Sequence, residues 1–122
     1  MDSQPVATDD VYKAVSMCRK VNIPVLGVVE NMSWYACAQC GHREEIFAHG
    51  GGRRAAEKFG VPFLGEIPIL AAIRAAGVAG TPIVAAAPGS PAAEAFLAVA
   101  RATAAQLATL ASRGPQRPTI KF

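Results

Sequence analysis

Ile23-Pro24-Val25-Leu26-Gly27-Val28-Val29 is a nearly unbroken apolar run with none of the polar alternation that a half-exposed strand shows. Such a run reads as a strand buried on both faces, the situation in a parallel sheet covered by helices. Glu30 and Asn31 end it in polar groups. On its N-terminal side, Thr8 is suited to cap a helix whose first turn holds Asp9 and Asp10. Val11, Val15 and Cys18 recur there at i, i+4 and i+7, so Cys18 is expected to face a core.

On its C-terminal side, Arg53 to Phe59 reads as a short helix with Ala55, Ala56 and Phe59 inward and Gly60 as its stop. Pro62 to Ile67 is a second strand. Leu70 to Ala76 makes a two-turn helix ended by Gly77, and Pro82 to Ala87 reads as a third strand stopped by Pro88-Gly89. The last helix has Ser90 as cap, Pro91 in its first position and a stripe of Phe96, Val99, Ala100, Thr103, Leu107 and Leu110, with Gly114-Pro115 as the stop. Strands separated by helices imply a parallel sheet with right-handed crossovers, an α/β layered domain. Three strands make a small sheet, so an edge that further chain would cover is expected to be exposed. Residues 115–122 read as a flexible tail.

The chain of 122 residues is one domain's worth, and 52% hydrophobic against 17% charged residues describes a folded globular chain. The formal charge of +3 is concentrated at the end, in Arg113, Arg117 and Lys121, so no nucleic-acid partner is inferred. No run approaches the roughly 18 apolar residues of a membrane span, and Met1 to Asp10 lack the basic start and apolar stretch of a secretory signal. A cytoplasmic protein with no membrane association is expected. Three cysteines in a reducing compartment argue against structural disulfides and toward metal or redox use of the close pair.

That pair lies between Met32 and Gly52, about twenty residues without a clear period, the length at which a loop is usually functional or disordered. Cys37-Ala-Gln-Cys40 spaces two thiolates so that both reach one zinc ion or one iron-sulfur cluster. Either group normally takes four protein ligands. The others must come from His42 and His49, from Cys18, which its helix face disfavours, or from a second copy of the chain about a two-fold axis. Other readings stay open: a thioredoxin-like redox pair, disfavoured because Gly41 spoils the helix such pairs open; a structural zinc knuckle of Cys37, Cys40, His42 and His49, with tight spacing between Cys40 and His42; and loop cysteines without ligands. Gly50-Gly51-Gly52 has backbone N–H groups that suit an anion, but it lacks the spacing and lysine of a phosphate loop. A flexible loop-to-helix hinge is the preferred reading.

Several stretches taken together carry a resemblance: Val25-Leu-Gly-Val-Val-Glu-Asn-Met-Ser33, Cys37-x-x-Cys40-Gly-His42, Glu45-Ile-Phe47, His49-Gly-Gly-Gly52, Gly65-Glu-Ile-Pro68 and Ser90-Pro-Ala-Ala93. In this order, from about Gln4 to Leu110, they closely resemble the Mrp/ApbC proteins, the cluster-carrier branch of the MinD/ParA-like P-loop ATPases. The resemblance implies that residues 1–114 are the C-terminal half of such a P-loop domain. It further implies that Cys37 and Cys40 of two subunits hold a bridging 4Fe-4S cluster, with zinc as the alternative occupant, and deliver it to apo iron-sulfur proteins. It also implies that Asn31, with Glu66, Ile67 and Pro68, lies on the adenine side of a nucleotide. The family's Gly-Lys-Gly-Gly-Val-Gly-Lys-Ser/Thr loop, its magnesium-binding aspartate and its switch region do not occur in residues 1–122. Leu70-Ala71 also stands where the family usually has Asp-Pro. Without the amides, lysine and carboxylate that stabilise a transferred phosphoryl group, these residues are not expected to hydrolyse ATP with magnesium unless a separate ATPase half supplies them.

Overall fold

The computed structural model describes residues 5–47 and 49–115. Helix α1 spans Pro5–Lys20 and strand β1 spans Val28–Glu30. The segment between β1 and helix α2 (Gly51–Phe59) carries a small hairpin of β2 (Tyr35–Ala36) and β3 (Arg43–Glu44). Strand β4 (Phe63–Glu66), α3 (Ala71–Val78), α4 (Ile83–Ala86) and α5 (Pro91–Ala111) complete the order.

Strands β1 and β4 pair in parallel, with α2 as the crossover, which is the α/β unit the apolar runs predict. Val28 faces Phe63, Val29 faces Gly65 and Glu30 faces Glu66, so Leu64 is an extra residue in a bulge. Because side chains alternate across a strand, Glu30 and Glu66 share one face and Val29 and Gly65 the other. Helix α2 covers the first face, bringing Gly52 against Glu30, and α5 covers the second, bringing Val99 over Gly65. Gly65 has φ of 142°, and a Cβ there would lie 2.9 Å from Val99 Cγ2, so both its conformation and the approach of α5 require glycine.

Helix α1 packs against α2, with Tyr12 and Phe59 edge to face at 4.9 Å between ring centroids. A second cluster joins α3, α4 and α5 through Ala76, Ile83 and Ala92. Gly60, at φ 64°, ends α2 with its N–H bonded to Ala56 and Glu57 carbonyls, and Ser90 caps α5 by accepting from the Ala93 N–H. This stop and this start follow the sequence reading.

Several details differ from it: α2 begins at Gly51 rather than Arg53, and α3 runs through Gly77 to Val78 instead of ending at that glycine. Pro82 to Ala87 is not a third strand: Ile83–Ala86 is one helical turn, closed onto the Pro82 carbonyl by the Ala85 and Ala86 N–H groups. Ile83 is buried there, so packing against Ala76 and Ala92 overrides the strand preference of the Ile-Val pair. Thr8 lies inside α1, which already runs from Pro5, and Val15 is its buried residue while Cys18 is half-buried. Strand β1 is shorter than the apolar run, with Ile23 at 39% exposure. The inner stripe of α5 runs through Ala92, Val99, Thr103 and Leu110, whereas Phe96, Ala100 and Leu107 are exposed. The tail expected at residues 115–122 lies, from 116 on, outside the described residues.

Candidate functional site

The segment 32–52 is anchored first by main-chain pairing. The Ile67 N–H donates to the Glu30 carbonyl, the Ser33 N–H to Ile67 and the Ile69 N–H to Trp34, so residues 30–35 run alongside 66–69 beyond the regular strands. The chain then turns into the hairpin, in which Tyr35 faces Glu44 and Ala36 faces Arg43. The Cys37 N–H donates to the His42 carbonyl and the Gly41 N–H to the Cys37 carbonyl, and Gly41 takes φ of 71°. Cys37 and Cys40 therefore stand at the tip of a tight hairpin turn, the first half-buried and the second exposed. They do not open a helix, as a thioredoxin-like pair would.

The Cys37 thiol is held below the ordinary thiol value, first by the Cys40 backbone N–H, then by that of Gln39 and by the Cys40 side chain, with a small opposing effect of burial. Backbone amides aimed at sulfur favour the thiolate, the form that binds metals. Among the described residues, no third histidine, cysteine or carboxylate gathers with this pair. His42 is exposed at the turn, and His49 is held elsewhere, so the structure does not assemble the four-ligand knuckle of Cys37, Cys40, His42 and His49.

A second cluster, which sequence reasoning missed, lies beneath the hairpin. Glu30 is completely buried, and its Oε1 accepts from the Gly52 N–H at 2.7 Å and the Gly50 N–H at 3.1 Å. Its Oε2 accepts from Ser33 Oγ at 2.6 Å, and Ser33 Oγ is also 2.8 Å from Glu66 Oε2. A buried carboxylate without donors is prohibitively costly, and here the first turn of α2 supplies them at its positive end. The three glycines are thus no hinge. Their amides do meet an anion, and that anion is the chain's own Glu30. Gly52 permits the contact, since a Cβ there would lie 2.6 Å from Glu30 Cβ. The available signal was a lone glutamate ending an apolar strand in the same chain as a glycine-rich helix start.

His49 Nε2 lies 3.0 Å from Glu66 Oε2 and 3.9 Å from Glu30 Oε2, while Nδ1 is 3.3 Å from Glu45 Oε1 without hydrogen-bond alignment. Glu30, His49 and Glu66 have the donor types of a divalent-cation site, with ligand atoms within 4.8 Å of one another. Glu30 already serves two amides and a hydroxyl at a helix N-terminus, however, where a cation is disfavoured. The cluster is better described as an internal lock between β1, β4 and α2. Arg43 extends it: its guanidinium lies 4.0 Å over the Trp34 ring and 3.6 Å from Glu66 Oε1. Half exposed, the ion pair is worth under about 1 kcal/mol and the ring contact a similar amount.

Of the residues expected on an adenine side, Asn31, Ile67 and Pro68 do come together, lining an open groove of about 200 Å³ with Met32, Ile73 and Arg74. Asn31 is exposed and its Oδ1 accepts from the Met32 N–H. The Glu66 carboxylate instead engages Ser33, His49 and Arg43 of the cysteine-bearing segment.

Comparison with known proteins accords with this architecture. The family profile described as ParA: NUBPL iron-transfer P-loop NTPase matches residues 2–104. An iron-sulfur cluster carrier protein of Pyrococcus abyssi is 48% identical over 97 residues, covering 80% of this chain and 32% of that protein. The iron-sulfur cluster transfer protein NUBPL of Mus musculus is 42% identical over 97 residues, covering 80% and 30%. The cell division ATPase MinD of Pyrococcus furiosus shares the fold with a TM-score of 0.64 at 25% identity, covering 89% of this chain and 40% of that one. The chain thus spans about a third of the length of these relatives. It belongs to the ParA-type, NUBPL-like iron-transfer family of P-loop NTPases, of the Mrp/ApbC kind.

Proposed function

We propose that two copies of this chain hold a 4Fe-4S cluster between them through Cys37 and Cys40 and deliver it to apo iron-sulfur proteins. The observation that carries the reading is the hairpin tip itself. Two thiols stand on one tight turn, backbone amides hold the Cys37 thiol below its ordinary value, and among the described residues no further ligand gathers with the pair. A second identical pair completes four thiolates about a two-fold axis. An apolar groove of about 310 Å³ beside the hairpin, lined among others by Trp34, Tyr35, Ala38, Leu70 and Ile83, offers surface for such an association. The cluster is cargo: thiolates of the receiving protein replace Cys37 and Cys40 one at a time at its iron atoms.

The names of the relatives support carriage as the general role. The groove at Asn31, Ile67 and Pro68 is the adenine side of a nucleotide site in this reading, and residues 1–122 carry no phosphate-binding loop to complete it. No ATP turnover is expected of these residues alone, and measurable turnover by the purified 122-residue chain would contradict that expectation. The reading takes the cytoplasm as the location; separately, among the described residues no helix is long and apolar enough to cross a membrane.

Anaerobic reconstitution with iron and sulfide tests the reading, expecting one cluster per dimer and none in Cys37→Ser. A Cys37→Ser chain that still assembles a full cluster and dimer would sink it. Zinc near one per chain in a monomer, unmoved by iron and sulfide, would support a structural zinc module instead.

A further inference from the structure

Glu66 touches the cysteine-bearing segment at three separated points. Its Oε2 accepts from Ser33 Oγ at 2.8 Å near the start of the segment and lies 3.0 Å from His49 Nε2 near its end. Its Oε1 lies 3.6 Å from the Arg43 guanidinium in the middle, on the returning strand of the hairpin. That hairpin has only two residues per strand, and both residues of β3 are exposed. An isolated two-stranded ribbon of this size is not stable in water, so its position depends on what ties it down. Arg43 is such a tie. It faces Ala36 across the hairpin, immediately before Cys37, and its guanidinium is held between the Trp34 ring and Glu66. The next pair along the ladder is Cys37 with His42.

We propose that Glu66, acting through Arg43, is the positioning residue for the Cys37–Cys40 pair and sets how tightly the pair holds its metal cargo and how fast it releases it. The proposal rests on the reading of the pair as metal-binding. A ligand pair fixed in its bound orientation avoids the ordering cost that a swinging hairpin meets on binding. Removing the tie therefore weakens the site and speeds release without touching either sulfur.

Cobalt(II) is the probe, because its thiolate absorption reports coordination directly. Affinity is read by chelator competition and release by the decay of that absorption, on the purified protein, with Cys37→Ser as the site control. Arg43→Ala, which removes both the ion pair and the ring contact, is expected to bind up to roughly tenfold more weakly and release correspondingly faster, and Glu66→Gln, which removes the ion pair alone, only a few-fold. Arg43→Lys falls between, since it keeps the charge and loses the planar stack. Unfolding midpoints of the metal-free variants are measured alongside. Variants that lose thermal stability but bind and release cobalt like the wild type overturn the proposal. Should Glu66→Gln not fold, the two Arg43 variants carry the test, because Arg43 is half exposed and leaves no buried hole. A wild type without Cys37-dependent cobalt absorption sinks the metal reading and this proposal with it. Cobalt binding by the wild type with unchanged Arg43 variants sinks the positioning role alone.

Discussion

Gly52→Ala sets two physical expectations against each other. Gly52 lies in the first turn of α2, where alanine is favoured over glycine by at most about 1 kcal/mol. Against this, the new Cβ would sit 2.6 Å from Glu30 Cβ, 3.2 Å from its Cα and 3.3 Å from its Cγ. Ordinary carbon contacts begin near ~3.5 Å, so α2 and β1 must separate by roughly 1 Å. Overpacking of this kind costs about 1–3 kcal/mol. The separation also stretches the 2.7 Å bond from the Gly52 N–H to the buried Glu30 carboxylate, and bonds to charged groups contribute about 1.5–3 kcal/mol. The net expectation is a loss of about 1.5–5 kcal/mol after the helix gain is subtracted. Guanidinium unfolding followed by Trp34 fluorescence measures it, with the denaturant slope unchanged. A Gly52→Ala protein as stable as the wild type, or more so, would refute the account of why this helix begins with glycines.

Glu30→Ala leaves the Gly50 and Gly52 amides and the Ser33 hydroxyl without this acceptor in a buried hole, so unfolding data should show a loss of at least about 3 kcal/mol. Glu30→Gln, which keeps an oxygen for both amides, should lose less than half as much. Iodoacetamide labelling of Cys37, read by peptide mass, should inflect at lower pH in the folded protein than in the same protein unfolded in guanidinium, because backbone amides stabilise the folded thiolate. By linkage, that stabilisation is present above the unfolded thiol pKa and is lost as pH falls through the folded one. Equal inflections would remove the amide-to-sulfur contacts from the account. Ser90→Ala should cost about 1 kcal/mol through loss of the α5 cap, measured by thermal unfolding.

Local chemistry was legible in the sequence where it is self-sufficient. Gly60 ends α2 and Ser90-Pro91 starts α5 because a left-handed glycine and a serine cap act within a few residues. That Cys37 and Cys40 share one short turn was legible for the same reason, their spacing being their geometry. Ile83–Ala86 was not, since four apolar residues show no period, and its helical turn is decided by packing on Ala76 and Ala92. The α5 stripe was rotated in part because a helix rich in alanine offers little contrast between faces, leaving Phe96 and Leu107 outside. The lock under the hairpin was illegible for a different reason. Glu30 finds its amides at residues 50 and 52, Ser33 joins it to Glu66, and His49 arrives from the far end of the segment. Such partners meet only once β1, α2 and β4 are assembled.

The central claim is that the cysteine pair is half of a site shared by two chains. Native mass spectrometry of the anaerobically reconstituted protein tests it most directly. The account predicts a species of two chains plus one 4Fe-4S cluster, absent from Cys37→Ser and from Cys40→Ser. A single chain retaining a whole cluster, or a dimer whose cluster survives loss of Cys37, would contradict it.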